Sequence, residues 1–312
     1  MVGIVPNNKY CLLTNDVELT SIVNNSLRIE TGMKVSEEGL PKLLELYKKY
    51  NIKSTFFITG KFAESFPNSL KQIIEDGHEI GSHGYRHEVD QAFDILSLDE
   101  QIEHLSLSKK LLLENGAEHV RSFRAPALRV NNDTVKALKQ NGFVVDSSTA
   151  SQRFDFFLSF GGLKKLKWLS QPRKPYFITQ DSFYKKGSEQ ILEVPVSAFL
   201  LSYIGTTLRV FPTLTKALGL FLRTEAKLTG KPIVFLIHPV EVITEKQEGK
   251  LERRTRNLIK YLLADKLRRF LKLRNLGDNA LNLYEQEIIK MKKAGFKFVT
   301  MSEYLEIFKV NK

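Results

Sequence analysis

His78-Glu79-Ile80-Gly81-Ser82-His83-Gly84-Tyr85-Arg86-His87 is the stretch around which the chain is organised. A short apolar run delivers two histidines four residues apart. On one helical turn residues i and i+4 share a face, so two imidazoles at that spacing can converge on a single ion. The result is half of a metal site, lacking an oxygen ligand and a base. The alternative is two polar residues on an exposed turn, and the rest of the chain decides between them.

Working outward, Tyr10-Cys11-Leu12-Leu13-Thr14 reads as a buried strand that runs into Asn15-Asp16-Val17-Glu18. Side chains of a strand alternate with period two, so Asp16 and Glu18 point the same way if the strand persists. The plainer reading of the two acids is a solvated strand end. Ser36 before Glu37 and Glu38 has the form of a helix N-cap with acids in the first turn, leading into Leu43, Leu44 and Tyr47. Residues 54–59 read as a second strand, 68–76 as a helix closed by Gly77, and 78–82 as the strand that delivers the histidine pair. The alternation continues with a helix over 98–114, a strand over 121–124, a helix over 133–141 and a strand over 143–146. Strand and helix at this rhythm imply parallel strands joined by right-handed crossovers.

After Asp146 the rhythm breaks. Residues 150–230 mix basic and aromatic side chains, among them Phe154, Phe156, Phe157, Trp168, Tyr176 and Phe177, with one strand-like piece over 191–196. The rhythm resumes with a fully apolar strand over 232–237 ending in His238-Pro239, a basic helical stretch, a helix over 280–293, a short strand over 296–300 and a terminal helix begun by Ser302-Glu303. The expectation is one α/β barrel domain over residues 1–312, with insertions at about 150–230 and about 245–278.

Composition narrows the classes. At 312 residues and 42% hydrophobic the chain has ample core for such a barrel. A single cysteine, Cys11, excludes an internal disulfide framework. Residues 1–11 lack a basic segment followed by a long apolar one, and no uncharged apolar run approaches about 18 residues, so the expectation is a cytoplasmic protein without signal peptide or spanning helix. The net charge is +12, and residues 245–274 hold 11 Lys/Arg against 4 Asp/Glu. That excess lies around an apolar stripe of Leu258, Ile259, Leu262, Leu263, Leu267, Phe270 and Leu271, which suits peripheral contact with an anionic membrane or, more plainly, a solvated helix packed on the barrel. No recognised nucleic-acid-binding motif accompanies it, so nucleic acid is not an expected partner.

Every candidate polar group falls at the C-terminal end of an expected parallel strand: Asp16 and Glu18, His83 and His87, Arg124, Asp146 and His238. In an α/β barrel that rim is where active sites are built. Thr14-Asn15-Asp16-Val17-Glu18, Ser82-His83-Gly84-Tyr85-Arg86-His87, Arg124-Ala125-Pro126, Asp146 and Leu236-Ile237-His238-Pro239, in this order, resemble the motifs of the polysaccharide deacetylase family, the NodB-homology (carbohydrate esterase family 4-like) hydrolases that remove N-acetyl groups from sugars. The fold this resemblance implies is a distorted, incomplete (β/α)7 barrel. It implies Asp16 as catalytic base, His83 and His87 as metal ligands, Arg124 as the residue that orients the base, the backbone N–H of Ala127 as an oxyanion donor, His238 as general acid and Asp146 as its partner. Most of the family has adjacent aspartates where this chain has Asp16 and Val17. The chain looks like the Asp-Val-Asp/Glu branch, which makes Glu18 the oxygen ligand. The implied cofactor is a divalent metal, zinc first, with other divalent transition metals also admissible, and the implied partner is an N-acetylated carbohydrate. A cyclic imide or other non-sugar amide hydrolase of the same fold and a non-catalytic carbohydrate-binding homologue are the competing readings. His78 is expected to be structural, and His104 and His119 exposed.

Overall fold

The computed structural model describes residues 8–23, 26–153, 168–244 and 268–310. Strands β1 (Tyr10–Val17), β2 (Thr55–Ile58), β3 (Glu79–Ser82), β4 (Ser122–Phe123) and β5 (Val145–Asp146) lie side by side in chain order, all parallel. The sheet is extended by β11 (Ile233–Ile237) on the far side of β1 and by β8 (Leu192–Glu193) beyond β5, both parallel as well. A short β12 (Lys297–Phe298) pairs with the start of β1. The order β11-β1-β2-β3-β4-β5-β8 does not close on itself among the described residues, so the curled sheet is an incomplete α/β barrel with helices packed outside it.

The two faces of β1 separate by residue parity. Cys11, Leu13 and Val17 join one hydrophobic cluster with helix residues such as Leu43 and Tyr47, whereas Leu12 packs in a second cluster with Phe57 and Val234. Strands covered on both faces read as continuous apolar runs, which is why β1, β2 and β11 stand out in the sequence. Parity also sends Val17 into the helix-side core and leaves Thr14, Asp16 and Glu18 facing the concave side.

The sheet continues where the sequence suggested only insertions. A hairpin of β6 (Tyr176–Thr179) and β7 (Ser182–Lys186) adds to β8 antiparallel. A two-residue pair, β9 (Ala198–Phe199) and β10 (Leu201–Ser202), turns through Leu200 at φ 60°. Helices Gly205–Val210 and Pro212–Thr229 then carry the chain to β11. Two local expectations differ from the structure. Ser36 is not an N-cap, because helical structure already begins at Ile29 and passes through a π-helical segment, Val35–Gly39, into Leu40–Tyr50. Its hydroxyl meets that of Ser69 at 2.6 Å instead. The start lies upstream because Thr31, Gly32 and Val35 are already buried against the barrel. Phe154, Phe156 and Phe157, and the basic stripe from Leu258 to Leu267, lie outside the described residues. The described end of that stretch, Arg268–Leu273, is a short helix on which Phe270 is 64% exposed. No helix among the described residues is long and apolar enough to cross a membrane.

Gly81 in β3 marks how tightly this sheet is packed behind the site. A methyl group there would lie 2.7 Å from the Phe57 ring and 3.0 Å from the carbonyl oxygen of Ser122. Gly81→Ala is expected to destabilise the protein by about 1–3 kcal/mol through overpacking, read as a lower urea midpoint with an unchanged m-value. An unchanged midpoint contradicts this packing.

Candidate active site

Asp16 occupies the centre of the concave rim. One of its oxygens, Oδ1, accepts a hydrogen bond from Arg124 Nη1 at 2.8 Å. The other, Oδ2, stands 3.9 Å from His83 Nε2 and 4.0 Å from His238 Nε2. Arg124 follows β4 and is fully buried. Its guanidinium also donates to Thr14 Oγ1, to the Ser147 carbonyl and to Ser147 Oγ, and lies over the Phe57 ring with its carbon 4.4 Å from the ring centre. The carbonyl of the same residue accepts from His83 Nδ1 at 2.8 Å. A carbonyl can only accept, so this bond puts the His83 proton on Nδ1 and turns the lone pair of Nε2 towards Asp16.

Glu18, His83 and His87 each offer a ligand atom, and these atoms lie within 4.8 Å of one another. Glu18 Oε2 is 3.0 Å from His87 Nδ1, and Thr20 Oγ1 donates to the same carboxylate oxygen at 3.0 Å. One carboxylate and two imidazoles, one of them already oriented through its other nitrogen, form a donor set that fits a catalytic divalent site with an open position. Burial opposes ionisation of Glu18, but the charge and hydrogen bond of His87 outweigh it and hold this carboxylate down at about 2. Burial also presses His83 towards its neutral form, lowering it in spite of the nearby carboxylates, which is the form a ligand needs.

The structure corrects how the histidine pair is presented. The segment from His83 to Glu88 is a loop rather than a helical turn. Gly84 takes φ 72°, where an added side chain would meet the His104 ring. Backbone bonds from Gly60 and Lys61 to the carbonyls of Gly84 and Tyr85, at 2.9 Å each, fix the path, and the two imidazoles stack with ring centres 5.9 Å apart. His104, expected to be exposed, is buried and accepts from Tyr85 N–H at 3.0 Å. Burial and the Arg86 charge hold it down at about 4, so it stays neutral and braces the loop between the two ligand candidates. His78 is structural, accepting from Ser54 N–H at 3.1 Å, and His119 is exposed.

His238 follows β11, as expected, but its partner is not Asp146. The carboxylate beside its Nδ1 is Glu241, with Oε2 at 3.5 Å. Asp146 instead accepts from Ser148 N–H at 2.9 Å and Ser148 Oγ–H at 2.7 Å. Ser148 Oγ in turn accepts from Ala125 N–H at 2.8 Å. Asp146 thus supports the loop after Arg124, in which Ala127 and Leu128 both take φ 54°. Behind it lies Glu193, which burial and the Asp146 charge drive well above the ordinary carboxylate range, so Glu193 is the protonated member of this buried pair. Glu241, Arg209, Thr20 and His104 are the site residues that motif reading missed. Only Glu241, three residues after His238, carried a signal that spacing could have revealed.

With the geometry in place, comparison with known proteins becomes specific. The sequence model of the family described as polysaccharide deacetylase matches residues 26–145. A peptidoglycan deacetylase of Helicobacter pylori is 32% identical over 126 residues, which are 40% of this chain and 42% of that protein. Over this segment the chain resembles the polysaccharide deacetylase family. A second polysaccharide deacetylase relative, a peptidoglycan-N-acetylglucosamine deacetylase of Bacillus cereus, is 31% identical over 103 residues, 33% of this chain and 46% of that protein. The chain therefore spans under half the length of these curated relatives. Among solved structures, a Mycobacterium smegmatis protein described as a polysaccharide deacetylase superposes with a TM-score of 0.65 at 18% identity, covering 98% of this chain and 92% of that one. An allantoinase superposes with a TM-score of 0.60 at 15% identity over 97% and 91% of the two chains. Both show that the fold is shared.

The donor set makes a stoichiometric prediction. The purified protein is expected to take up one equivalent of zinc, and His83→Ala, His87→Ala and Glu18→Ala each to lose it by elemental analysis. Undiminished metal in all three variants places the ion elsewhere.

Proposed function

We propose that this chain is a hydrolase that removes N-acetyl groups from an amino sugar of a polysaccharide or glycan precursor. The observation that carries the reading is the position of Asp16: one oxygen fixed by Arg124, the other facing both His83 and His238, beside the Glu18, His83 and His87 cluster. The names of the relatives support the substrate class.

The residues divide the work of breaking an amide. Glu18, His83 and His87 would hold a divalent ion, zinc being the proposed one, and when bound it would supply Lewis acidity for the attacking water and the amide carbonyl. Asp16 takes the proton of that water as its oxygen bonds to the carbonyl carbon. Arg124 fixes the direction of Asp16 through the 2.8 Å hydrogen bond to Oδ1, which leaves Oδ2 facing the histidines. The loop supported by Ser148 presents the Ala127 N–H as the proposed oxyanion donor. His238 then protonates the nitrogen as the C–N bond breaks, releasing acetate and a free amine. Burial works against its charge, but the Glu241 hydrogen bond and the charges of Glu241, Asp16 and Glu18 raise it to about 9, so it holds its proton at neutral pH. The basic surplus over residues 245–274 extends the proposal to peripheral contact with an anionic membrane surface on the cytoplasmic side.

The test is acetate release from a panel of N-acetylated amino-sugar oligomers, with a cyclic ureide as the competing substrate. Asp16→Asn and His238→Ala are expected to keep the metal and to lose about 10²–10⁴-fold in turnover each. The acid form of His238 is the working one, so activity should fall as pH rises through its pKa near 9. Wild-type turnover in either variant removes this mechanism, and activity on the ureide alone moves the substrate to a non-sugar amide.

A further inference from the structure

His238 meets a carboxylate from its own turn. In His238-Pro239-Val240-Glu241 the chain enters a 3-10 turn, Pro239–Val242, directly after β11. Its geometry folds Glu241 back onto the histidine: Oε2 accepts from the His238 backbone N–H at 3.2 Å and lies 3.5 Å from Nδ1. The second oxygen, Oε1, accepts from Arg209 Nε at 2.9 Å and from Thr206 Oγ1 at 2.7 Å. Glu241 and Arg209 are both buried. Gly205, at the start of the helix carrying Thr206 and Arg209, has no room for a side chain because Glu241 Oε2 fills that space. Arg209 is itself fixed, since its Nη1 donates to the carbonyls of Leu271, Lys272 and Arg274.

We propose that Glu241, clamped by Arg209, is the positioning residue of His238: it fixes the ring with Nε2 towards Asp16 and holds the imidazolium, a task that Asp146 does not perform in this chain. The inference rests on the deacetylase reading, in which His238 is the general acid. Three features of the arrangement support it. The two ring nitrogens face different carboxylates, Nδ1 towards Glu241 and Nε2 towards Asp16, so the ring has one sense. Arg209 keeps Glu241 ionised in a site from which water is excluded. A buried carboxylate without such a partner would take up a proton and lose its hold on an imidazolium. Asp146, the strand-end carboxylate expected in this role, is committed to Ser148 and to the neighbouring Glu193. The other charged and titratable groups facing His238 are Asp16 and Glu18 from β1 and His87 from the loop after β3. The change made below leaves all three in place.

Glu241→Gln is the test, because it keeps size and hydrogen-bonding capacity and removes the charge. Two readouts are taken on the zinc-loaded protein: the His238 imidazole titration by NMR with labelled histidine, and the pH profile of kcat. The expected result is a His238 pKa at least one unit below wild type, a tenfold loss of proton affinity. With it go an alkaline limb of kcat moved to lower pH by the same amount and a KM little changed. Glu241→Asp, which keeps the charge but draws it back by one methylene, should recover part of the shift, and it replaces Glu241→Gln if that variant fails to fold. A His238 pKa and alkaline limb unmoved in a folded Glu241→Gln protein overturn the proposal. The NMR titration needs no turnover. If wild-type protein released no acetate from any amino sugar, the deacetylase reading would fail while the Glu241 proposal was still decided by the imidazole.

Discussion

A single buried guanidinium sets the geometry of this rim. Arg124 has no exposure, so each of its donors must find an acceptor in the protein. It finds them on two different elements: Thr14 and Asp16 at the end of β1, and the carbonyl and hydroxyl of Ser147 after β5. Its own carbonyl fixes His83 after β3. One residue therefore joins the ends of three strands and two functional groups, the base and a ligand. Breaking a buried pair by removing one partner costs about 3–5 kcal/mol. The arrangement is thus held by the same energy that would be lost if Asp16 swung away.

Around this guanidinium, buried carboxylates with the same intrinsic chemistry are separated by their partners. Glu18 faces His87 and is held ionised, as a ligand must be. Glu241 is pushed up by burial, but the His238 hydrogen bond and the Arg209 charge bring it down to about 2. Glu193, pressed by burial and by the Asp146 charge, keeps its proton. The donor that each oxygen faces decides its state, and burial alone would have protonated them all.

Much of this could be read in the sequence because parallel strands buried on both faces are apolar runs whose ends are marked by a change to polar residues. The clearest cases are β1, β2 and β11, the helix Leu98–Glu114, and the placing of Asp16, Glu18, His83, Arg124, Asp146 and His238 on one rim. The alternation of β1 put Glu18 on the same side as Asp16, and the resemblance to the Asp-Val-Asp/Glu branch implied Glu18 as the oxygen ligand. What failed depended on contacts between distant residues. The i, i+4 spacing of His83 and His87 suits a helix, but the loop path is set by Gly60, Lys61 and His104, which no local pattern connects to it. His104 looked exposed because its helix is polar in sequence, and its burial comes from packing against Phe93 and Tyr85. The resemblance implies Asp146 as the partner of His238, whereas its neighbours Ser148 and Glu193 determine what it touches. The strands over residues 176–202 are short, and their pairing with β8 and with one another, rather than their composition, makes them strands.

The central claim is that Arg124 keeps Asp16 as a free base while Glu18 supplies the oxygen ligand. A crystal structure of the zinc-loaded protein tests it most directly. The account predicts the ion on Glu18, His83 Nε2 and His87, with Asp16 Oδ1 still hydrogen-bonded to Arg124. An ion coordinated by Asp16 with that bond broken, or one that leaves Glu18 unliganded, would contradict it.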